Sequence, residues 1–404
     1  MLKKLLSLTV VAAMVISFAA CGSADKGNDT PTSGTATGTP APTEAGTEPA
    51  ATETPAATTG LFAPVAKEEV KVGVIHIGDP ADGAGYTFAH DQGIVAMQQA
   101  LGLSDTQIIR KNNVNDADAV AIRTAIEECI EDGATIIFGT SWGYMDTMEE
   151  LASEYPDVIF SHCSGYKSNG TNFNNYFGRI YQARYLSGIA AGLKTQSDKI
   201  GFVAAMGSDN SEVTGGINAF ALGVESVNPD AKVYVKVTNT WFDPTLEQQA
   251  AEALLDAGCD IIAQHADTTA PQLAAESRGV WGVGYNSDMT KDAPKAHLTA
   301  PVWNWGAYYT SAVQSVIDGT WDGSNYFGGM AEGLVDISPL SANVADGTAE
   351  AIEAARQKIL GGFKVFEGDL FDNAGNQINK AGEFLSDADI TGKMNWYYRN
   401  VVVE

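Results

Sequence analysis

Short apolar runs rich in β-branched residues alternate with segments of helical periodicity over most of this chain. The first run, at residues 70–77, precedes a helical segment at 88–101. The alternation continues with predicted strands and helices at 107–110, 117–131, 134–138, 145–153 and 158–161. Continuously apolar strands separated by helices are typical of a parallel sheet covered on both faces. The pattern therefore predicts an α/β fold.

A predicted helix at 181–194 leads into a second series of the same kind. One of its helices begins with Asp243 as N-cap and Pro244 as first residue, and Gly258 ends it. Two such series joined through a helix predict two doubly wound parallel-sheet lobes connected by a hinge. The other elements of the second series are predicted at 200–205, 212–227, 232–238, 260–263 and 280–285.

The two lobes are expected to share the chain unevenly. The first lobe takes residues from about 70 to 175 and, after the chain returns, from 296 to 320. The second takes residues from about 180 to 290 and part of the C-terminal region, where turns at 372–375 indicate a hairpin. Hinge motion is expected at crossing segments near 163–180 and 286–304, and closure about them would bury a ligand.

The N-terminal residues carry a different pattern. Lys3 and Lys4 precede an apolar run at 5–20, which at about sixteen residues is shorter than the roughly 20 needed to span a bilayer. A short positive segment, an apolar core and small residues before a cut site make a secretory signal. We therefore predict a signal peptide at 1–20, in preference to an uncleaved transmembrane anchor. Residues 21–66 are predicted to be a disordered linker, because this Thr-, Pro-, Ala- and Gly-rich stretch holds little apolar surface, and the globular domain covers 67–404.

Charge and cysteine content narrow the class of partner. The formal net charge of −26 argues against nucleic acid, whose binding needs clustered Lys and Arg. The four cysteines, at 21, 129, 163 and 259, show neither CxxC spacing nor a histidine at zinc-ligand spacing. We expect no disulfide framework, no metal site and no cofactor.

Aromatic, amide and carboxylate residues gather where several predicted strands end. Ligands of doubly wound sheets bind outside the carboxyl ends of the strands, so two facing lobes would place these residues on one cleft. Trp303 and Trp305 are expected to face opposite ways, with Trp303 toward the cleft. His90 and Asp91 are expected to pack rather than to bind. The candidate ligand-binding residues are Asp82, Tyr86, Ser141, Trp142, His265, Asp267, Asn286, Asp288 and Trp303.

The residue types at these strand ends indicate the character of the ligand. Rings that flank a cleft with Asn and Asp at its floor suit a flat, uncharged ligand that forms hydrogen bonds. A purine base or a nucleoside fits this description. A sugar fits it as well, and composition does not separate the two.

Five segments, taken from both lobes, resemble the basic membrane protein (BMP, PnrA-like) family of ABC transporter substrate-binding lipoproteins. The resemblance implies a two-lobed fold of the type I periplasmic binding protein kind, and a purine nucleoside or base that is passed to an ABC permease in the membrane. It also implies that the aromatic ring of Tyr86 stacks on the base. The segments are Gly85-Tyr86-Thr87-Phe88-Ala89-His90-Asp91-Gln92-Gly93, Gly216-Ile217-Asn218-Ala219-Phe220, Asn239-Thr240-Trp241-Phe242-Asp243-Pro244, Gly284-Tyr285-Asn286-Ser287-Asp288-Met289 and Val302-Trp303-Asn304-Trp305-Gly306.

The end of the signal segment carries a second resemblance. Ala19-Ala20-Cys21 is similar to a bacterial lipobox, with Phe18 where such motifs usually have Leu. Lipidation of Cys21 would hold the protein to the extracytoplasmic face of the cell membrane. We expect the protein to be a monomer.

Two other classes of protein fit part of the sequence. Gly139-Thr140-Ser141-Trp142-Gly143 matches the GxSxG nucleophile elbow, and Asp267 or Asp288 with His297 keeps the residue order of a serine hydrolase, here a lipid-anchored one. Against this hypothesis, no HGGG-type oxyanion loop precedes Ser141, and a hydrolase fold does not explain the second βα series. A ligand-binding surface sensor of the same fold is also compatible with the sequence, because a fold does not determine its partner.

Overall fold

The folded body begins slightly earlier than the sequence predicts. The computed structural model describes residues 60–404, so the signal peptide, the lipidation site at Cys21 and most of the linker lie outside the described residues. The linker prediction is wrong for residues 60–66, because these residues pack on the first lobe. The Gly60 amide donates to the Gly319 carbonyl at 2.8 Å. Two apolar side chains of the segment, Phe62 and Val65, lie against the core and explain its packing.

The first half of the described chain forms strands and helices in the predicted alternation. All residues of the first, third and fourth strands are buried, as expected for strands covered on both faces. The fifth strand was not predicted, because its second and third residues are asparagines and it does not form an apolar run. The elements are β1 (Val72–Ile75), α1 (Gly85–Leu101), β2 (Ile108–Lys111), α2 (Ala119–Glu131), β3 (Ile136–Gly139), α3 (Met145–Glu154), β4 (Ile159–Cys163) and β5 (Phe173–Gly178).

The second half continues the alternation as far as residue 283. Its elements are α4 (Ile180–Lys194), β6 (Lys199–Ala204), α5 (Ser211–Glu225), β7 (Lys232–Val237), α6 (Pro244–Asp256), β8 (Ile261–His265), α7 (Ala270–Ser277), β9 (Trp281–Val283), β10 (His297–Thr299), β11 (Pro301–Trp303), α8 (Trp305–Asp318), β12 (Tyr326–Gly328), β13 (Val335–Ile337), α9 (Thr348–Leu360), β14 (Leu370–Phe371), β15 (Gln377–Asn379), α10 (Asp387–Gly392) and β16 (Val401–Val403).

Two six-stranded sheets organise these elements into two lobes. The first has the order β12-β5-β4-β3-β1-β2 and the second the order β10-β9-β8-β6-β7-β16. Every neighbouring pair in both sheets is parallel. The predicted fold class, two doubly wound parallel-sheet lobes, is confirmed.

Local capping follows the sequence signals. The Asp243 carboxylate accepts hydrogen bonds from the amides of Thr245 and Leu246, so it caps α6 ahead of Pro244. Gly258 has a φ of 93° and ends the helix, as predicted. The hairpin predicted around residues 372–375 is present as the antiparallel pair β14 and β15.

The chain returns to the first lobe later than predicted. Residues 296–300 were expected there, but His297 of β10 lies opposite Gly282 of β9, so this strand forms the edge of the second sheet. The next helix, α8, packs on α1 in the first lobe. The first sheet then gains β12, beyond the expected limit at residue 320. Apolar periodicity identifies a buried strand but does not say which of two similar sheets it joins, and this explains the error.

Within residues 60–404 the chain passes between the lobes at three places. The first crossing is Arg179, between β5 and α4. The second runs through β11 into α8, and the third leads from β12 into β13. Because β11 and β13 form an antiparallel pair, with Trp303 opposite Val335, the second and third crossings run side by side. The sequence indicated the first two crossing regions, too broadly, and missed the third.

Candidate ligand-binding site between the lobes

The two lobes meet where the carboxyl ends of their parallel strands face each other. Gly85 and Tyr86 begin α1 after β1, while His265 ends β8 and Asp267 follows it. Gly85 has a φ of 79°, and a Cβ placed on it would lie 2.5 Å from the carbonyl oxygen of Asp267. Only glycine permits this approach, because a side chain here would collide with the backbone of the opposite lobe. Asp267, one of the residues that the sequence places on the cleft, therefore lies at a contact between the lobes.

A stack of rings lines the first-lobe side of this contact. The indoles of Trp303 and Trp305 lie 4.4 Å apart with 10° between their planes. His90 stacks on Trp305 at 4.4 Å and 13°, and Tyr86 meets His90 edge-on at 4.4 Å. Rings in these arrangements attract one another beyond the area they bury. The stack is therefore a firm apolar wall that reaches Tyr86 at the lobe boundary.

The expectation that Trp303 and Trp305 face opposite ways is wrong. β11 ends at Trp303, and Asn304 turns the chain into α8, whose first residue is Trp305. Side chains two residues apart on a strand share a face, so the spacing itself gave no reason to expect opposite faces. The indoles remain together across the turn. Trp303 also donates from Nε1 to the hydroxyl of Tyr285 at 3.4 Å, which connects the stack to the second lobe.

His90 and Asp91 take the packing positions expected from the sequence. His90 Nδ1 lies 2.6 Å from the Tyr309 hydroxyl, and the ring is fully buried. Asp91 accepts a hydrogen bond from Arg110 Nε at 2.6 Å. Both side chains are thus occupied within the first lobe.

Asp267 and Asn286 form a polar pair on the second-lobe side. Asn286 Nδ2 donates to Asp267 Oδ1 at 2.7 Å. Burial raises the pKa of the Asp267 carboxyl to about 8, the charges of Glu247 and Glu212 add to the rise, and the Asn286 hydrogen bond opposes it. Asn286 Oδ1 is buried and has no hydrogen-bond partner among the described residues. The pair therefore presents hydrogen-bonding oxygens to whatever lies between the lobes.

A second polar group, which the sequence analysis missed in part, surrounds Glu212 in the first turn of α5. Burial raises the pKa of Glu212 to about 7, against the opposing charge of Arg184. His265 Nε2 lies 3.7 Å from Glu212 Oε1, and burial followed by the Arg184 charge lowers the pKa of that imidazole well below its usual value. Neither ring nitrogen of His265 has a hydrogen-bond partner within the described residues. A neutral imidazole of this kind can both donate and accept.

Arg184 is the fully buried cation of this group. It projects from α4, donates from Nη1 to the Gln264 carbonyl at 2.6 Å and lies 3.9 Å from the centroid of the Tyr285 ring. Its Nε and Nη2 have no hydrogen-bond partner in the described part of the chain. Gly216 of α5 makes room for it, because a Cβ there would lie 2.9 Å from His265 Nδ1 and 3.4 Å from Arg184 Nε. A lone arginine in an otherwise apolar helix was the available sequence signal.

Ser141 and Trp142 are less well placed than predicted. Ser141 Oγ donates to Asp116 Oδ2 at 2.6 Å, while His162 Nε2 lies against the Ser141 carbonyl rather than its hydroxyl. Trp142 is 59% exposed. The serine therefore has an acid as its partner and not the histidine base that a nucleophile elbow needs.

Asp288 has a local structural partner. Its Oδ1 accepts hydrogen bonds from the amide and hydroxyl of Thr290, which closes a turn, and lies 3.5 Å from His297 Nε2. Nearly half of the side chain is exposed.

Two cavities flank the lobe contact. Asp267 borders the larger one and Asn286 the smaller one, so the hydrogen-bonded pair lies between them. The larger has a volume of about 630 Å³, within the range of small-molecule sites. Its lining includes Asp82 and Ala84 of the first lobe and Phe242, Thr245, Gln248, Thr268 and Leu273 of the second. The smaller, of about 230 Å³, is lined in part by Phe88, Gln92, Asp288, Trp303 and Trp305.

The described residues do not form a disulfide, a metal site or a membrane-spanning helix. Cys129, Cys163 and Cys259 are buried free thiols. No group of three or more His, Cys, Asp or Glu residues between 60 and 404 is arranged to hold a metal ion. No helix in that same range is long and apolar enough to cross a bilayer.

Comparison with known proteins gives consistent results. Residues 70–367 match the family described as ABC transporter substrate-binding protein PnrA-like. A purine-binding protein of Brucella abortus is 40% identical over 83% of this chain and 94% of its own length. A protein of Haloferax volcanii, named provisionally as an ABC transporter glucose-binding protein, is 35% identical over 80% of each chain.

Solved structures agree on the fold. An ABC transporter solute-binding protein from Conexibacter woesei has a TM-score of 0.62 at 21% identity, over 72% of this chain and 97% of its own. One from Aeropyrum pernix has a TM-score of 0.61 at 17% identity, over 72% of this chain and 92% of its own. At such identities the likeness concerns the fold alone.

Proposed function

The chain belongs to the PnrA-like family of ABC transporter substrate-binding proteins, and we propose that it binds a purine base or nucleoside between its lobes and delivers it to a membrane permease. As a member of this family it is a substrate-binding protein that acts outside the cytoplasm, and it is not an enzyme. The serine hydrolase hypothesis is therefore wrong, in keeping with the acid partner of Ser141.

The observation that carries the proposal is the Asp267–Asn286 pair beside the ring stack. Asn286 Nδ2 is used by Asp267 Oδ1 at 2.7 Å, which leaves Asn286 Oδ1 and the second oxygen of Asp267 as neighbouring acceptors. A purine carries N–H groups along one edge of a flat ring, so it can donate to such acceptors while its faces meet aromatic side chains. Tyr86 and Trp303 are the rings we assign to those faces.

The two relatives named above support different ligands. The Brucella protein, with the higher identity, is named for purines, and the Haloferax protein is named for glucose. A sugar would use the same oxygens through its hydroxyl groups. We favour the purine because the wall beside the acceptors consists of stacked rings 4.4 Å apart, which suits a flat ligand.

Calorimetry with a ligand panel tests the proposal. We expect adenosine or adenine to bind, and AMP to bind at least tenfold more weakly, because burying its charged phosphate beside the carboxyl groups of Asp267 and Glu212 would be costly. Mass spectrometry of material released from heat-denatured protein should identify a purine. Binding of glucose without any purine would overturn the assignment, and binding of AMP as tightly as adenosine would overturn the preference for neutral ligands.

The transport role and the membrane anchor are separate parts of the proposal. We propose that lipid on Cys21 holds the protein at the extracytoplasmic face of the membrane, where the linker lets it reach its permease. Wild-type protein should sediment with membranes and a Cys21→Ser variant should not. Deletion of the gene should slow purine uptake by cells. Normal uptake in the deletion strain would favour a sensor of the same fold.

A further inference from the structure

Glu212 is an ionisable residue near the lobe contact whose carboxylate forms no hydrogen bond with the residues that the structure describes. It lies in the first turn of α5, but the helix is already capped by Asn210, whose Oδ1 accepts from the Val213 amide at 3.0 Å. Among the described residues, His265 Nε2 is the basic nitrogen near the Glu212 carboxylate, at 3.7 Å. That imidazole is neutral, because burial lowers its pKa well below the usual value. A carboxylate with a structural role would cap a helix or form an ion pair, and the Glu212 carboxylate does neither.

The charge of this carboxylate acts on groups of both lobes. From the first lobe, its charge contributes to the raised pKa of the Tyr86 hydroxyl and the Cys163 thiol, after the larger effect of burial. From the second lobe, the same charge acts on Asp267 and Tyr285. Glu212 nevertheless keeps 28% of its side-chain surface, whereas its neighbour His265 keeps none. Glu212 lies in the helix that follows the carboxyl end of β6, and His265 ends the neighbouring strand β8, so Glu212 lies at the edge of the second sheet that faces the first lobe.

Arg184 supplies the charge that makes such a carboxylate tolerable. Its guanidinium is fully buried, has two nitrogens without protein partners in the described chain and is not within ion-pair distance of Glu212. Burying one partner of a charge pair without the other is costly. At a longer distance the arginine offsets the carboxylate while leaving its oxygens free to accept a hydrogen bond from something else.

We propose that Glu212 is a specificity-determining residue that contacts the ligand directly, accepting a hydrogen bond from an N–H or O–H group of a neutral purine. This inference rests on the proposed function, since it assumes that the ligand lies between the lobes. Asp267 then accepts a second donor, so the site selects ligands with at least two donors and rejects those with negative charge. An exocyclic amino group, a ring N–H or a ribose hydroxyl can each fill the role.

Substitution of Glu212 by Gln and by Ala tests the assignment in otherwise full-length protein. Glu212→Gln keeps the shape but replaces an acceptor oxygen by a donor, so adenosine and adenine should bind at least tenfold more weakly by calorimetry. Glu212→Ala should weaken them at least as much. Glu350→Gln is the matched control, because Glu350 also lies in the first turn of a helix but is exposed. It should bind within twofold of wild type.

The outcomes separate this inference from the proposed function. If wild type binds a purine and both Glu212 variants bind it within twofold of wild type, Glu212 is not a ligand contact and the inference is overturned. Should Glu212→Ala fail to fold, the isosteric Gln variant decides. If wild type binds glucose and no purine, the proposed function is wrong, and the same variants titrated with glucose decide the role of Glu212 independently.

Discussion

The two faces of the cleft are built from different chemistry. On the first-lobe face most polar groups are already used: His90 bonds Tyr309, and the Tyr86 hydroxyl donates to Cys163 Sγ at 3.3 Å. Trp305 Nε1 is the exception in the ring stack, because it is buried without a partner among the described residues. On the second-lobe face Arg184, His265 and Asn286 each carry buried polar atoms that no described residue satisfies. Buried polar groups in folded proteins are nearly always paired, so an unpaired set on one face indicates where a ligand forms its hydrogen bonds.

The difference suggests a division of labour between the lobes. The first-lobe face offers rings in a fixed stack, which can support any flat or apolar surface and discriminates little between ligands. The second-lobe face offers donors and acceptors, whose loss leaves a buried group unpaired and therefore discriminates strongly. We expect closure to bring the two faces together, and Gly85 is one point at which they touch.

Gly85→Ala should have the largest effect. The new Cβ would lie 2.5 Å from the Asp267 carbonyl oxygen, a backbone atom of the other lobe that cannot move aside unless the lobes separate. We expect ligand affinity to fall by roughly 100-fold, equivalent to about 2.7 kcal/mol. Calorimetry measures the loss, and small-angle X-ray scattering should show that ligand no longer compacts the protein.

Gly83→Ala is the control for backbone strain. Gly83 has a φ of 76°, close to the 79° of Gly85, but a Cβ there meets nothing within 4 Å. Both variants therefore carry the same left-handed strain, and only one carries the collision. Equal affinities for the two variants would mean that the lobes do not close through Gly85.

The fold was more predictable from the sequence than the site. Apolar strand runs, the Asp243 cap and the Gly258 stop are local signals, and each was read correctly. β5 was not predicted because two of its residues are asparagines. β10 was assigned to the wrong lobe because strand pairing depends on residues distant in sequence.

The site divides in the same way. The expectation that ligands bind at the carboxyl ends of strands identified His265, Asp267 and Asn286. His265 ends β8, and the other two residues follow strands. Arg184 comes from the middle of a helix and Glu212 resembles an ordinary first-turn acid, so only the packing of α4 and α5 on the second sheet brings them to the cleft. The Trp303–Trp305 stack was missed because the two positions were assigned to opposite faces, although residues two apart on a strand share a face.

Asp267→Asn tests the polar face of the comparison. The substitution keeps the size of the side chain and its neighbour Asn286, but it removes a carboxylate oxygen that we assign to the ligand. Affinity for the purine should fall by roughly tenfold or more, as expected when a buried donor loses its partner. Calorimetry on the variant and wild type measures this. A matched Asp82→Asn variant, at the rim of the larger cavity, should lose much less, and the reverse order would move the binding residue to the rim.

The same variant should change how stability depends on pH. Burial raises the pKa of Asp267 to about 8 in the folded protein, above its value in an unfolded chain. Folding is therefore favoured most at low pH, where the group is protonated in both states, and this contribution is lost as pH rises through about 8. Ligand-free Asp267→Asn protein should melt a few degrees higher than wild type at pH 9 and at the same temperature near pH 4. Titration of the histidines changes the stability of both proteins alike, so it cancels in the difference between their melting temperatures. Equal melting temperatures at pH 9 would contradict burial of an ionisable Asp267 in the free protein.

Tyr86→Phe should have the smallest effect, and it tests whether the first-lobe face acts through its ring. The hydroxyl of Tyr86 is directed to Cys163 Sγ at 3.3 Å, so it is not available to the ligand, while the ring lies edge-on to His90 at the end of the stack. Removing the hydroxyl should change purine affinity by less than about threefold, whereas Tyr86→Ala should cost about tenfold, in the range measured for aromatic contacts. If the Phe variant loses as much as the Ala variant, the hydroxyl itself contacts the ligand, and the first-lobe face then contributes hydrogen bonding as well as rings.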